Sequence, residues 1–165
     1  MLFRSDNSTN AFAISVAGGT PSVQRFSPFN PTASYDTATI GGSGYFNGSS
    51  YLTSPATSGN LGSNDFTIEC WVYPTSAWSA GSYNPILFVA GTGIYFGQNA
   101  TGFGLRQAST ADIIGYGTSP ALGTWTHVAI VRSGTAVAMY YNGFSVATAT
   151  SSANFSSGAV QIGYD

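Results

Sequence analysis

Asp65-Phe66-Thr67-Ile68-Glu69-Cys70-Trp71-Val72-Tyr73-Pro74 decides the fold. Phe66, Ile68, Cys70 and Val72 alternate with Thr67, Glu69, Trp71 and Tyr73, a strict period of two that only an extended strand satisfies. Asn64-Asp65 before it and Pro74 after it are turn residues that bound the strand. Four apolar side chains share one face, so this face is expected to be buried against a second layer.

The same reading extends in both directions. Trp125–Arg132 is a second long strand, with Val128 and Ile130 on one face and Trp125, His127, Ala129 and Val131 on the other. Both faces are largely apolar, as in a central strand. Asn142-Gly143, flanked by Ala138–Tyr141 and Phe144–Ala147, is the pair favoured where both turn residues need positive φ, and it predicts a hairpin. Asn47-Gly48, between Tyr45-Phe46 and Tyr51-Leu52, predicts a looser hairpin of the same kind. Shorter strands are expected at Phe12–Val16, Ile86–Val89, Ile94–Phe96, Phe103–Arg106, Ile113–Tyr116 and Val160–Ile162. Turn signals every 8 to 12 residues or so are the spacing of an all-β sandwich or jelly roll. No break in composition divides the chain, so residues 1–165 are expected to form one domain.

Composition agrees. Of 165 residues, 41 are Ser or Thr and 21 are Gly, while only 6% are charged and none is Lys. This favours turns and β-branched strand positions over helices. The four arginines (Arg4, Arg25, Arg106 and Arg132) are scattered and the net charge is −2, so there is no cationic track for nucleic acid. The longest apolar runs, such as Ile86–Ala90, are too short to span a bilayer. Met1–Asp6 lacks the basic start and apolar stretch of a signal peptide, and the single Cys70 rules out an internal disulfide.

Four stretches resemble a known family. Gly44–Leu52, Asp65–Pro74, Trp125–Arg132 and Tyr140–Ala147, followed by Ile162-Gly163, are similar in order and spacing to laminin-G-like, concanavalin A-like lectin domains. The resemblance implies a two-sheet antiparallel jelly-roll sandwich. The segment Asn7–Pro31 further resembles versions of this domain in bacteriophage structural proteins. Two departures stand out. The family closes its sandwich with a strand that would begin just after Tyr164-Asp165, which suggests either a longer chain or a partner that supplies the strand. Asn47 stands where the family often has an acid, so calcium binding is not expected from the motif.

Chemistry finds little support. Jelly-roll glycosidases resemble one another in pairing strand carboxylates. Here the single Glu69 has Asp65 as its nearest acid, about 13 Å along a strand. Retaining and inverting pairs need roughly 5–5.5 Å and 6.5–9.5 Å. No catalytic residue is therefore assigned. His127 is the single histidine, so a His cluster for zinc cannot form. Calcium, held by loop acids such as Asp112 or Asp165, is the possible cation, but it wants several oxygen ligands and acids are scarce. No cofactor is expected.

The aromatics remain. Trp71 and Trp125 lie within strands and are assigned to the core. Trp78, Tyr83, Tyr95 and Tyr116 fall in or beside Gly/Ser-rich loops, with Asn84 adjoining. These five residues either pin loops onto the sandwich, the plainer reading, or stack on a sugar while Asn84 holds its hydroxyls. Two functions follow. One is a non-catalytic structural or adhesion module of a virus particle, a tail-fibre or capsid-decoration domain contacting other virion subunits. The alternative is a carbohydrate-binding, lectin-like module of a secreted protein that meets a glycan. The location is then the virion or the extracellular space.

Overall fold

A computed structural model describes residues 15–19, 22–24, 42–55, 59–78, 83–91, 93–99, 102–108 and 110–163. Thirteen strands and no helix occur among them. In chain order they are β1 (Ser15–Gly18), β2 (Ser22–Gln24), β3 (Ser43–Tyr45), β4 (Tyr51–Thr53) and β5 (Phe66–Val72). There follow β6 (Asn84–Val89), β7 (Ile94–Asn99), β8 (Gly102–Gln107), β9 (Ala111–Tyr116) and β10 (Thr126–Ser133). The last three are β11 (Ala136–Tyr141), β12 (Phe144–Thr150) and β13 (Val160–Ile162).

One sheet has seven strands in the order β1-β4-β13-β6-β7-β8-β9, and a second has four in the order β12-β11-β10-β5. β2 and β3 pair only with each other among the described residues. The ladders are antiparallel, and the two large sheets form the expected jelly-roll sandwich.

The period of two places the core. On β5, Phe66 and Cys70 are buried, and Ile68 and Val72 are half-buried but packed against the core, while Thr67 and Glu69 are exposed. Register carries this face across the sheet: Ile68 lies opposite Ile130, and Ile130 opposite Met139. The seven-stranded sheet answers with Ile94, Phe96, Phe103 and Leu105, all fully buried. Phe96 meets Phe103 edge to face, with centroids 5.4 Å apart and planes at 72°. Such pairs add to the burial of their own area.

The Asn142-Gly143 turn is formed as expected. Asn142 has φ 50° and Gly143 φ 84°, the pair of positive angles that matches the twist of β11 and β12. The Asn142 side chain also accepts a bond from the His127 N–H at 2.9 Å, tying the turn to β10.

The Asn47-Gly48 hairpin is not formed. A turn is present, with Asn47 Oδ1 accepting from the Ser49 N–H at 3.0 Å and Gly48 at φ 83°. Its flanking strands part company: β3 pairs with β2, whereas β4 pairs with β1 and β13. The turn residues specify a reversal, but pairing is set by which strand buries each face. Leu52 takes its place between Val16 and Ile162.

Candidate functional site

A cleft of about 750 Å³ opens where β5 runs into residues 73–78. Its other walls are β3 with the turn that follows it, the start of β6, Trp125, and the end of β13. Among the described residues six aromatic rings line it: Tyr45, Phe46, Trp71, Tyr73, Trp78 and Trp125. Asn84, Thr75 and Ser76 supply amide and hydroxyl groups, and among the described residues none that lines the cleft is charged.

Strand alternation explains how the rings arrive there. Cys70 faces the core, so Trp71 must face the opposite way, and register sets it against His127, centroids 5.3 Å apart. One step beyond the ladder, Tyr73 and Trp125 repeat the pairing at 5.4 Å. The expected core placement of Trp71 and Trp125 is thus corrected: both are half-buried, both line the cleft, and neither belongs to the core cluster. A strand read in isolation shows that Trp71 and Cys70 oppose each other, not that a cleft lies on the Trp71 side.

The far wall is held firmly. Trp78 packs edge to face on Phe103 of the core at 5.5 Å, and its Nε1–H donates to the Pro120 carbonyl at 3.2 Å. The Gly123 N–H donates to the Pro74 carbonyl at 3.0 Å. Phe46 lies over Gly163, where any Cβ would collide with the ring, so the floor requires glycine.

The five sequence-derived candidates divide three ways. Trp78 and Asn84 line the cleft. Tyr83 and Tyr95 come together elsewhere, centroids 5.5 Å apart and planes at 82°, with Phe88 on the other side of Tyr95 at 6.0 Å. Tyr95 is buried within β7 rather than in a loop. Tyr116 stands apart, packed edge-on against Tyr141 at 5.4 Å on the inner side of β9. Sequence reasoning misses Tyr45, Phe46, Tyr73 and Arg106; nothing local distinguishes the last among four scattered arginines.

The titratable groups are mostly engaged in structure. Burial pushes the Cys70 thiol up to about 11, with Glu69 acting in the same direction as a smaller cause. Burial raises the Tyr141 hydroxyl as well, followed by the neighbouring Tyr116, and it donates to the Thr118 carbonyl at 3.0 Å. Asp65 accepts from the Gly134 N–H at 2.6 Å, and Glu69 lies 3.6 Å from His127 Nε2. Asp112 pairs with Arg106 at 3.0 Å. Asp165, the other acid weighed for calcium, lies outside the described residues. Among the described residues no three His, Cys, Asp or Glu side chains gather as a cation site.

Comparison with known proteins places this architecture. In fold the chain is similar to domain 4 of AbnA, a GH43 extracellular arabinanase from Geobacillus stearothermophilus, solved in complex with arabinotriose. The TM-score is 0.59 at 21% identity, over 90% of this chain and 75% of that one. It also matches the carbohydrate-binding module CBM66 from Bacillus subtilis, with TM-score 0.48 and 15% identity over 93% of this chain and 89% of the other. No curated protein sequence matches. Residues 46–165 fit the laminin-G-like model of the concanavalin A-like lectin/glucanase superfamily, and the chain belongs to that family.

Proposed function

We propose that the chain is a non-catalytic carbohydrate-binding module that takes a neutral glycan into the aromatic cleft. The observation that carries this reading is the cleft's lining, which among the described residues has six rings and no charge in about 750 Å³. That volume falls within the roughly 300–1,000 Å³ usual for small-ligand sites. Flat rings present faces to the C–H surfaces of a sugar, and Asn84, Thr75 and Ser76 offer bonds to its hydroxyls. A charged sugar would lose hydration there without gaining a counter-ion. Among the described residues no carboxylate lines the cleft, so none of them supplies an acid and nucleophile for glycoside cleavage there. The arabinotriose bound by AbnA domain 4 makes that sugar a reasonable first probe, and that enzyme's extracellular setting suits the same reading. Nothing in the cleft or the neighbours favours the virus-particle role.

Titration calorimetry with arabinotriose and a panel of neutral oligosaccharides tests the proposal. Tyr45, 44% exposed, is removable without touching the core. Tyr45→Ala and Trp125→Ala should each weaken binding by about tenfold or more, a loss of about 1.4 kcal/mol. Affinity should change little with salt, because no ion pair forms. Unchanged binding in both variants, or no binding of any neutral glycan by the wild type, would sink the proposal.

A further inference from the structure

A second polar and aromatic surface lies on the side of the seven-stranded sheet turned away from the core. Register sets Phe88 opposite Tyr95, Tyr95 opposite Arg106, and Arg106 opposite Asp112. Their neighbours Leu87, Phe96, Leu105 and Ile114 occupy the inner face. Tyr83, 40% exposed, joins this row. Arg106 Nη1 donates to the Tyr83 hydroxyl at 2.7 Å and to Asp112 Oδ1 at 3.0 Å, and the guanidinium carbon sits 4.6 Å from the Tyr83 ring centre. None of these residues lines the cleft.

A guanidinium carries its N–H groups in a fixed fork, two of them on Nη1. Both are used. Nε and Nη2 have no protein acceptor among the described residues, and Asp112 Oδ2 has no donor there. The side chains of Arg106 and Asp112 are only 20% and 18% exposed, so each is held in place yet reachable. This is the single Arg–carboxylate pair among the described residues, in a chain with very few charges. It therefore offers a rigid donor edge and a rigid acceptor edge side by side, next to an exposed tyrosine.

We infer that this surface is a second saccharide site, taking a neutral sugar through two neighbouring hydroxyls. One hydroxyl donates to Asp112 Oδ2 and the next accepts from the Arg106 fork, while Tyr83 contacts the ring carbons. An anion would meet the Asp112 carboxylate, and a cation would meet Arg106, so the paired charges select a neutral polar partner. The inference extends the glycan-binding reading to another face of the sandwich.

The test is an NMR titration of the full chain with arabinotriose and with methyl glycosides of arabinose, glucose and galactose. The side-chain Nε–H signals come from four arginines and the indole signals from three tryptophans, so both sites report separately. The Arg106 signal should shift saturably, also in Trp125→Ala, and its apparent affinity should fall about tenfold or more in Tyr83→Ala and in Asp112→Asn. In Arg106→Lys, which keeps charge but not the fork, the saturable shifts of the Tyr83 and Asp112 backbone amides seen in the wild type should disappear with melting unchanged. Movement of the indoles while Arg106 stays still refutes this site and leaves the cleft standing. Movement of Arg106 alone supports this site and refutes the cleft. Silence of both refutes both.

Discussion

Cys70 shows how far one side chain is committed by its neighbours. It lies on the inner face of β5, opposite Val128 on β10, and burial raises its thiol from 9.0 to about 11. The folded chain therefore keeps the proton when the unfolded chain has lost it. The stabilisation is complete below pH 9 and declines between about pH 9 and 11 as the unfolded thiol ionises. Over that window the wild type should lose on the order of 2–3 kcal/mol relative to Cys70→Ala, read from urea midpoints at each pH. Cys70→Asp would bury an unpaired charge among Val128 and Ile130 and should cost about 4 kcal/mol or more. A near-normal melting curve for that variant would show that the inner face of β5 is not dry.

At the scale of elements, the two Asn-Gly turns behave differently for a reason visible in their partners. Asn142-Gly143 closes β11 onto β12 and is anchored to β10 by Asn142, so local chemistry and sheet order agree. Gly143→Ala meets open space but must hold φ 84°, which should cost about 1 kcal/mol. Asn142→Ala should cost more, since it also strands the His127 N–H; a smaller effect than that of Gly143→Ala in chemical denaturation would contradict the anchoring role. Asn47-Gly48 reverses the chain equally well, yet β3 and β4 enter different sheets. A turn motif encodes a change of direction. Whether its two arms then pair depends on faces supplied from elsewhere in the chain.

For the whole molecule, Arg132 joins the four-stranded sheet to the segment that closes one end of the sandwich. It is 3% exposed, donates to the Gly134 carbonyl at 2.9 Å and to the Ala153 carbonyl at 2.6 Å, and lies 5.8 Å from the Phe155 ring centre. Phe155 in turn exchanges two backbone bonds with Gly62 and meets Phe66 edge to face at 5.7 Å. Arg132→Met removes both bonds and should cost about 2–4 kcal/mol. Arg132→Lys should recover little, because a single ammonium cannot span two carbonyls as the fork does; full recovery of the melting temperature by Lys would refute this account. Chelators should leave melting unchanged, since Asp65 and Asp112 already serve a backbone N–H and an arginine. A drop with EDTA that calcium restores would count against that view.

The alternation in Phe66–Val72 and Trp125–Arg132, the Asn142-Gly143 pair and the shortage of charge were enough by themselves to determine an all-β chain and which side chains share a face. They also determined that few acids were available for catalysis. They are local properties, each legible within eight residues or so. The cleft is of another kind. It joins Tyr45, Trp71, Trp78, Asn84, Trp125 and Gly163 from across most of the chain, and no local period relates them. The same holds for Arg106, whose partners Tyr83 and Asp112 reach it through sheet register. Strand periodicity says which side chains share a face. Only the stacking and order of the strands decided which face is covered, which is left open, and what gathers there.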